Sequence, residues 1–484
     1  MTESLMSFSN LSQALGASLF AGEGKQVMQG EGFSSVAIDS RVVRPGALFV
    51  ALRGNALDGH NFVNAAFEAG ASAAMVAVSA MQNQAFSLTK LAGKWNRVLI
   101  AVEDTLKALQ NAAGAYLKQF SNLVRIGITG SSGKTTTKEI AAAIIGQEKS
   151  VVMNKGNLNS ETGLPLSVFD VRPHHQVGIF EAGMNRPGEI AELATVLDPS
   201  LALITNIGSA HIGILGSRQA IAEEKKKIFS RFTGQNTALI PEGDDYRDFL
   251  AEGVNGRVVY YGPSSLGALS AHGACTHGAL NGIKDMGLHG TEIVWEGEAA
   301  RFGLPGKFNL ANALAASALA LEMGVAPSSV RRGLESVKPL FGRGEILYGR
   351  TTVIRDCYNA NPESAEEALE FCDSLEWPGR KIYVMGSMLE LGDSSVKAHA
   401  DLGRKLLLSK AGAVFLFGEE TQAAAEIIKK ERRDLLVLYT KDRDELSAAV
   451  DGFVKNGDLV LLKGSRGCEL ETLTAMLLGE SHVS

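Results

Sequence analysis

Short apolar runs alternate with longer stretches of helical spacing along most of the chain. Leu123–Ile128, Val177–Phe180 and Leu201–Ile204 have the length and composition of buried strands, and Lys138–Ile145 carries apolar residues at helical spacing. The alternation resumes near Lys338, where Lys381–Met385, Ala413–Phe417, Leu435–Tyr439 and Asp458–Leu462 read as strands. Strands separated by helical segments predict parallel sheets covered by helices on both faces. Upstream, VAIDSRVVRPGALFVALRG reads as strands and turns, followed by a small-residue helix around Asn64–Ala74. The expected organisation is α/β in three units: residues 1–103; residues 104–337, introduced by a helix within Val102–Gln119; and residues 338–484.

Composition narrows the class. At roughly 150 residues per domain, 484 residues suit three domains. A hydrophobic content of 45%, a charged content of 21% and 53 glycines are those of a folded α/β enzyme and exclude a disordered chain. The formal net charge of −6 argues against a surface for nucleic acid. Cys275, Cys357, Cys372 and Cys468 are widely scattered, which suits reduced core thiols rather than a disulfide framework or a zinc site. MTESLMSFSN has no basic leader region, and no apolar run reaches membrane-spanning length, so a cytoplasmic protein is expected.

The chemistry starts at IGITGSSGKTTTKEI, residues 126–140. The common phosphate-loop spelling needs a glycine where Ile128 stands, yet Gly130 to Thr136 lies between a strand and a helix. Small residues there let backbone N–H groups surround an anion at a helix N-terminus. Lys134 can neutralise terminal phosphate charge and the Thr135 hydroxyl can ligate Mg²⁺. Further along, Glu181 ends one strand-like run, and Thr205-Asn206 ends another, with His211 shortly after. Ligands of open α/β sheets bind beyond the carboxyl ends of the strands, so the loop, Glu181 and His211 are expected in one crevice. Mg²⁺ prefers hard oxygen donors, which makes Glu181 the natural carboxylate. In IAEEKKKIF, capped by Ser217, Ile221, Lys225, Ile228 and Phe229 share one helical stripe. Read from pattern alone, Lys225 is a snorkelling side chain.

TGSSGKTTTKE, NKGNLNSETGLPL, FEAGMNRPGEI, NIGSAHIGILGSRQAIAEEKKKIF, GKFNLANALAASALA, RDCYNANPESAEEAL and LLKGSRG together resemble the ATP-dependent Mur ligases, in order and over nearly the whole chain. DCYNANP and the N-terminal IDSR, PGALFVALRG and DGHNF segments look most like the members that add D-alanyl-D-alanine to a UDP-linked tripeptide. The resemblance implies a small UDP-binding α/β domain, a central P-loop ATPase-type sheet and a Rossmann-like C-terminal domain that binds the amine and closes on ATP. Its shorter loop, T-G-x-x-G-K-T, matches Thr129, Gly130, Ser131, Ser132, Gly133, Lys134 and Thr135, with Thr136 beside it. ATP and two Mg²⁺ ions are implied, with Thr135 and Glu181 on one and His211 serving the second. Lys225 matches a lysine that CO₂ converts to a carbamate, an anion able to face Mg²⁺. Asn309, Asn312, Arg343 and Asp356 match positions around the nucleotide. Ser40, Arg41, Asp58, Gly59 and His60 match the part that holds the UDP end. Tyr358, Asn359, Asn361 and Pro362 carry the amine-ligase motif, and Lys463, Ser465 and Arg466 a C-terminal one.

The implied reaction makes an acyl phosphate from the carboxylate of UDP-N-acetylmuramoyl-tripeptide and ATP. The amine of D-alanyl-D-alanine then displaces phosphate. Catalysis rests on positioning and charge neutralisation, with Lys134, Lys225 and His211 central. Phe308, Arg355, Ser387 and Ser160 depart from the family pattern. No nucleic acid or membrane partner is expected, and a monomer suffices. Two alternatives differ in what they require: a single-amino-acid or folate-extending ligase would lack YNANP, and a P-loop motor would need a basic face.

Overall fold

The computed structural model describes residues 4–21, 27–28, 30–54, 57–268 and 280–479. Cys275 and the first three residues therefore lie outside the described residues.

The central sheet has six parallel strands in the spatial order Arg257–Tyr261, Thr237–Pro241, Leu201–Ile204, Val124–Thr129, Val177–Glu181 and Val151–Met153. Side-chain alternation sorts its residues between two cores. Ile126, Ile128, Ile179, Leu203 and Leu239 pack with Ile140, Ile144, Ala315 and Leu319 on one face. Phe180, Ala202, Ile204, Ala238 and Ile240 pack with Leu193, Leu197 and Ile228 on the other. The strand leading into the phosphate loop lies between the strands that end in Glu181 and Ile204, with Glu181 paired to Ile128 and Ile204 to Thr129. Three carboxyl ends therefore open into one crevice, as expected from the sequence.

The N-terminal sheet has five strands, Ser18–Ala21, Val98–Val102, Ala73–Ala77, Ala47–Val50 and Ser35–Ala37; the first pairs antiparallel and the rest are parallel. Here the expectation of one helix over Asn64–Ala74 is corrected. The helix is Val63–Glu68, and Ala73–Ala77 is a fully buried central strand. Alanines there admit the helices on both sides, and sheet position overrides their helical propensity. Helix Thr105–Leu117 is capped by Asp104 and shares one core with Val50, Met75 and Ile100 on one side and Phe169 and Leu193 on the other.

The C-terminal sheet runs Glu345–Tyr348, Thr352–Asp356, Leu459–Lys463, Lys381–Gly386, Ala413–Phe417 and Leu436–Thr440, antiparallel only at its first strand. That edge strand and the antiparallel meander Leu280–Asp285, Thr291–Trp295, Glu298–Phe302 were absent from the sequence expectation. Their mixed polar and apolar residues leave one face in solvent, which weakens the pattern. Cys357, Cys372 and Cys468 are buried and unpaired, and burial pushes all three thiols up, Cys357 to about 12. Among the described residues, no helix is long and apolar enough to cross a membrane.

Candidate active site

The phosphate loop is built where only glycine fits. Gly130 and Gly133 have φ of +150° and +76°. A Cβ on Gly130 would meet Thr205 Oγ1 at 1.7 Å, and one on Gly133 would meet Asn312 Oδ1 at 2.2 Å. Helix Lys134–Ile145 starts at Gly133 without a side-chain cap, so its first N–H groups remain available to an anion. Asn206 braces the loop: its Oδ1 accepts from Ser132 N at 3.0 Å and its Nδ2 donates to Ser132 Oγ at 2.7 Å. Thr205 Oγ1 donates to Ser132 O at 2.6 Å.

Two lysines converge on one acceptor. Lys134 Nζ and Lys225 Nζ each donate to Gly130 O at 2.9 Å. Lys225 is only 1% exposed, which overturns the snorkelling reading: helix Arg218–Lys226 aims the side chain under the loop, away from solvent. Burial, reinforced by the Lys134 charge and opposed by Glu224, lowers the Lys225 ammonium well below its ordinary range. The enclosing protein also lowers Lys134, with Glu181 opposing and Arg343 adding to the shift.

Facing them, Glu181 is buried at the end of its strand. Its Oε2 accepts from Thr135 Oγ1 at 2.7 Å and its Oε1 from Asn159 Nδ2 at 2.6 Å. Among the described residues no group of three or more His, Cys, Asp or Glu could hold a metal ion. The chemistry of the Thr135–Glu181 pair nevertheless fits Mg²⁺, which takes one carboxylate and completes its shell with phosphate oxygens and water. His211 has a φ of +66° and places Nδ1 2.9 Å from Glu390 Oε2 of the C-terminal unit.

Lys134, Thr135, Asn159, Glu181 and His211 line a cavity of about 270 Å³ between the central and C-terminal sheets, with Lys225 outside its lining. Ser131, Ser132, Gly133, Lys134, Thr135 and Thr136 form its floor, with Glu181, His211, Asn309 and Asn312 around them. Arg343, Asp356, Tyr358, Asn359, Asn361 and Lys463 close it from the other side. Thr129 and Gly130 lie beneath the floor. Lys463 Nζ donates to Asp356 Oδ2 at 2.8 Å and to Asn359 O at 3.0 Å, and the Arg343 guanidinium sits 4.1 Å from the Tyr358 ring centre. Asn361 spends its side chain on Ser364 N as the cap of helix Pro362–Ser374, and Asn309 Nδ2 donates to Pro305 O. Glu367 also lines the cavity. The surrounding protein pushes its carboxyl up to about 7 although it keeps contact with solvent; Lys463 opposes the shift and Asp356 adds to it.

Three families of known sequence cover this arrangement in order. The Mur ligase family catalytic domain matches residues 32–117, the Mur ligase middle domain 128–320 and the Mur ligase glutamate ligase domain 342–466. A UDP-N-acetylmuramoyl-tripeptide–D-alanyl-D-alanine ligase of Treponema pallidum is 43% identical over 93% of this chain and 95% of that protein. The chain belongs to the Mur ligase family. The Bacillus subtilis ligase of the same name is 36% identical over 93% of this chain and 94% of its own. A crystal structure of MurF from Acinetobacter baumannii superposes with a TM-score of 0.84 at 29% identity, covering 98% of both chains. MurF ligase from Thermotoga maritima, solved in complex with ADP, gives 0.76 at 28% identity, covering 94% of this chain and 99% of that one.

In this Mur ligase the remaining motif residues lie away from the cavity. Ser465 Oγ accepts from Leu389 N at 2.9 Å, and Arg466 pairs with Glu471. In the N-terminal unit Asp58 Oδ1 is 2.6 Å from His60 Nδ1, and His60 Nε2 accepts from Ala77 N at 2.9 Å. Both ring nitrogens of His60 are thus committed inside the fold. A Cβ on Gly59 would strike the Leu52 backbone at 2.6 Å. Arg41 is exposed and paired with Asp39, whose carboxyl it holds at about 2. Of the departures, Phe308 lines the cavity as an apolar wall, while Arg355 pairs with Glu345 and stacks on Phe341. Ser387 is buried beside Phe417 O, and Ser160 Oγ accepts from Gly163 N. Sequence reasoning missed Asn159 and Asn206. Each follows or lies within a quoted motif, yet an asparagine in a loop signals turn chemistry before it signals a site.

Proposed function

We propose that this Mur ligase joins D-alanyl-D-alanine to UDP-N-acetylmuramoyl-tripeptide with conversion of ATP to ADP and phosphate, giving the UDP-linked pentapeptide. The observation that carries the reading is one cavity walled by the phosphate loop and by DCYNANP, in a chain that matches two ligases of that name over almost their full lengths. The N–H groups at the start of helix Lys134–Ile145 and the Lys134 ammonium hold the terminal phosphates in line with the tripeptide carboxylate. Phe308 offers an apolar wall to the adenine, with Asn309 and Asn312 beside it, and Arg343 and Asp356 reach the nucleotide from the C-terminal unit. Thr135 and Glu181 would hold one Mg²⁺ and His211 would serve a second; bound Mg²⁺ would supply neutralisation of phosphate charge. Lys225 is held with a suppressed proton affinity, which leaves the free amine that CO₂ requires, so its carbamate belongs to the reading. Tyr358, Asn359 and Lys463 shape the amine side, with Ser465 and Arg466 behind them.

The assignment of residues 1–103 to the UDP end, 104–337 to ATP and 338–484 to the amine is part of the same proposal, as are the cytoplasmic setting and the monomer. Of the first-unit residues in this reading, Arg41 is exposed and Ser40 half-buried, whereas His60 is buried. The experiment supplies ATP, UDP-tripeptide and a panel of amines. D-alanyl-D-alanine gives a product heavier by one dipeptide unit, with one ADP per product, by mass spectrometry. Addition of a single amino acid, or extension of a folate, refutes the substrate reading while leaving the ATP site intact.

A further inference from the structure

The segment Asn206–His211 lies between the phosphate loop and the C-terminal unit and is gripped from both sides. On the loop side, Ser131 N donates to Asn206 O at 3.0 Å, Gly208 N donates to Ser131 Oγ at 2.9 Å, and Ser131 Oγ donates back to Gly208 O at 3.3 Å. From below, Ile207 N donates to Asp244 Oδ2 at 2.8 Å and Arg218 Nη2 to Ile207 O at 2.7 Å. On the C-terminal side, Glu363 Oε1 accepts from Ser209 N at 3.0 Å and Oε2 from Ser209 Oγ at 2.9 Å. Glu390 adds a second contact, its Oε2 lying 2.9 Å from His211 Nδ1, and just beyond the segment its backbone oxygen accepts from Gly213 N at 3.2 Å.

Glu363 is placed by chemistry it shares with DCYNANP. It occupies the first turn of helix Pro362–Ser374, where the capping box of Asn361 and Ser364 fixes the backbone and a carboxylate suits the helix N-terminus. The same cap ends the run Tyr358–Asn361 that walls the cavity. On the partner side, a Cβ on Gly208 would lie 3.1 Å from Glu363 Oε2, so a glycine there lets the carboxylate approach closely. The path from the amine-side motif to the floor of the phosphate site is thus the capped helix start at Asn361, then Glu363 in its first turn, Ser209, Gly208 and Ser131.

We propose that Glu363 is a positioning residue: its two-point hold on Ser209 couples docking of the C-terminal unit to the phosphate loop, so that acyl phosphate forms only where the amine side is in place. This deepens the ligase reading above and rests on it. When the hold is lost, water reaches the acyl carbon before the amine does. Water adds, phosphate leaves with the bonding electrons, and the tripeptide carboxylate is regenerated, so ATP is spent without product.

The test uses the full chain with Glu363→Ala, Glu363→Gln, Ser209→Ala and the double variant Glu363→Ala/Ser209→Ala, counting ADP and ligated product separately. Glu363→Ala lowers kcat/KM for ligation about tenfold or more, the range of a lost charge-assisted contact, and raises ADP per product above one. Glu363→Gln, which keeps both contacts as neutral ones, stays within about threefold of the parent. Ser209→Ala, which loses the hydroxyl contact but keeps the backbone N–H contact, shows a smaller defect of the same kind, and the double variant matches Glu363→Ala, because residues acting through one contact are not additive. ATP affinity without the other substrates and the melting midpoint stay close to parental. Parental rate and stoichiometry in Glu363→Ala overturn the proposal, as does an additive double variant, or a defect explained wholly by a lower melting midpoint. If the parent itself forms no ligated product, the ligase reading fails instead.

Discussion

The phosphate loop and the Asp58–His60 turn are both motif-bearing loops next to parallel strands, yet they use their polar groups in opposite ways. In the turn, Asp58 and Ala77 N–H satisfy both nitrogens of His60, and the ring is 4% exposed. In the phosphate loop, two lysines share a single carbonyl oxygen and a helix start has no cap, so donors are left in excess. The difference separates a loop whose donors are left for an anion from a turn whose histidine nitrogens are both engaged within the fold. Motif matching gave the two equal standing, whereas the hydrogen bonds do not.

Substitutions can break or sharpen that contrast. The largest effect belongs to Lys134→Ala, which lowers ATP turnover by at least about 100-fold because preorganised charge at the phosphates is lost. Its melting midpoint stays close to parental, because the loss falls on phosphate charge and not on the core. Steady-state phosphate release and calorimetry measure both, and a variant with most of the parental activity removes Lys134 from the mechanism. Next comes Lys225→Ala, inactive in the same assay and partly recovered by short carboxylic acids that replace the carbamate. Full activity of this variant in bicarbonate-free buffer would falsify the carbamate assignment.

The smallest effect on catalysis belongs to the turn. His60→Ala leaves a buried Ala77 N–H without its acceptor, so it costs about 1–3 kcal/mol of stability, read as a lower urea midpoint. The surviving folded fraction keeps its kcat. Arg41→Ala does the reverse, raising KM for the UDP substrate with no change in stability, because Arg41 is exposed and its pair with Asp39 adds little. If His60→Ala lowers kcat in fully folded protein, the turn belongs with the phosphate loop after all.

Much of the site was legible because its chemistry is local. A strand, a run of small residues, Gly-Lys-Thr and a helix lie within residues 124–145, and each signal survives the missing glycine at Ile128. DCYNANP was legible for the same reason, although the structure gives Asn361 a capping role within it. The strand at Ala73–Ala77 was not, because alanines favour helix until a sheet surrounds them. The hold of Glu363 on Ser209 spans 154 positions and that of Asn159 on Glu181 spans 22, distances over which no spacing rule operates.

Sequence alone therefore determined the α/β class, the phosphate cradle and the family, because these follow from periodicity and from residues adjacent in the chain. Tertiary structure alone decided which motif residues face the cavity and which are spent inside the fold. It also decided the surroundings that lower the proton affinity of Lys225. Pattern placed that lysine on an apolar stripe, but only packing shows Lys134 beside it, Gly130 O as its acceptor and almost no exposure to solvent. Proton affinity depends on the dielectric and charges within a few ångströms, and those neighbours are supplied by segments distant in sequence.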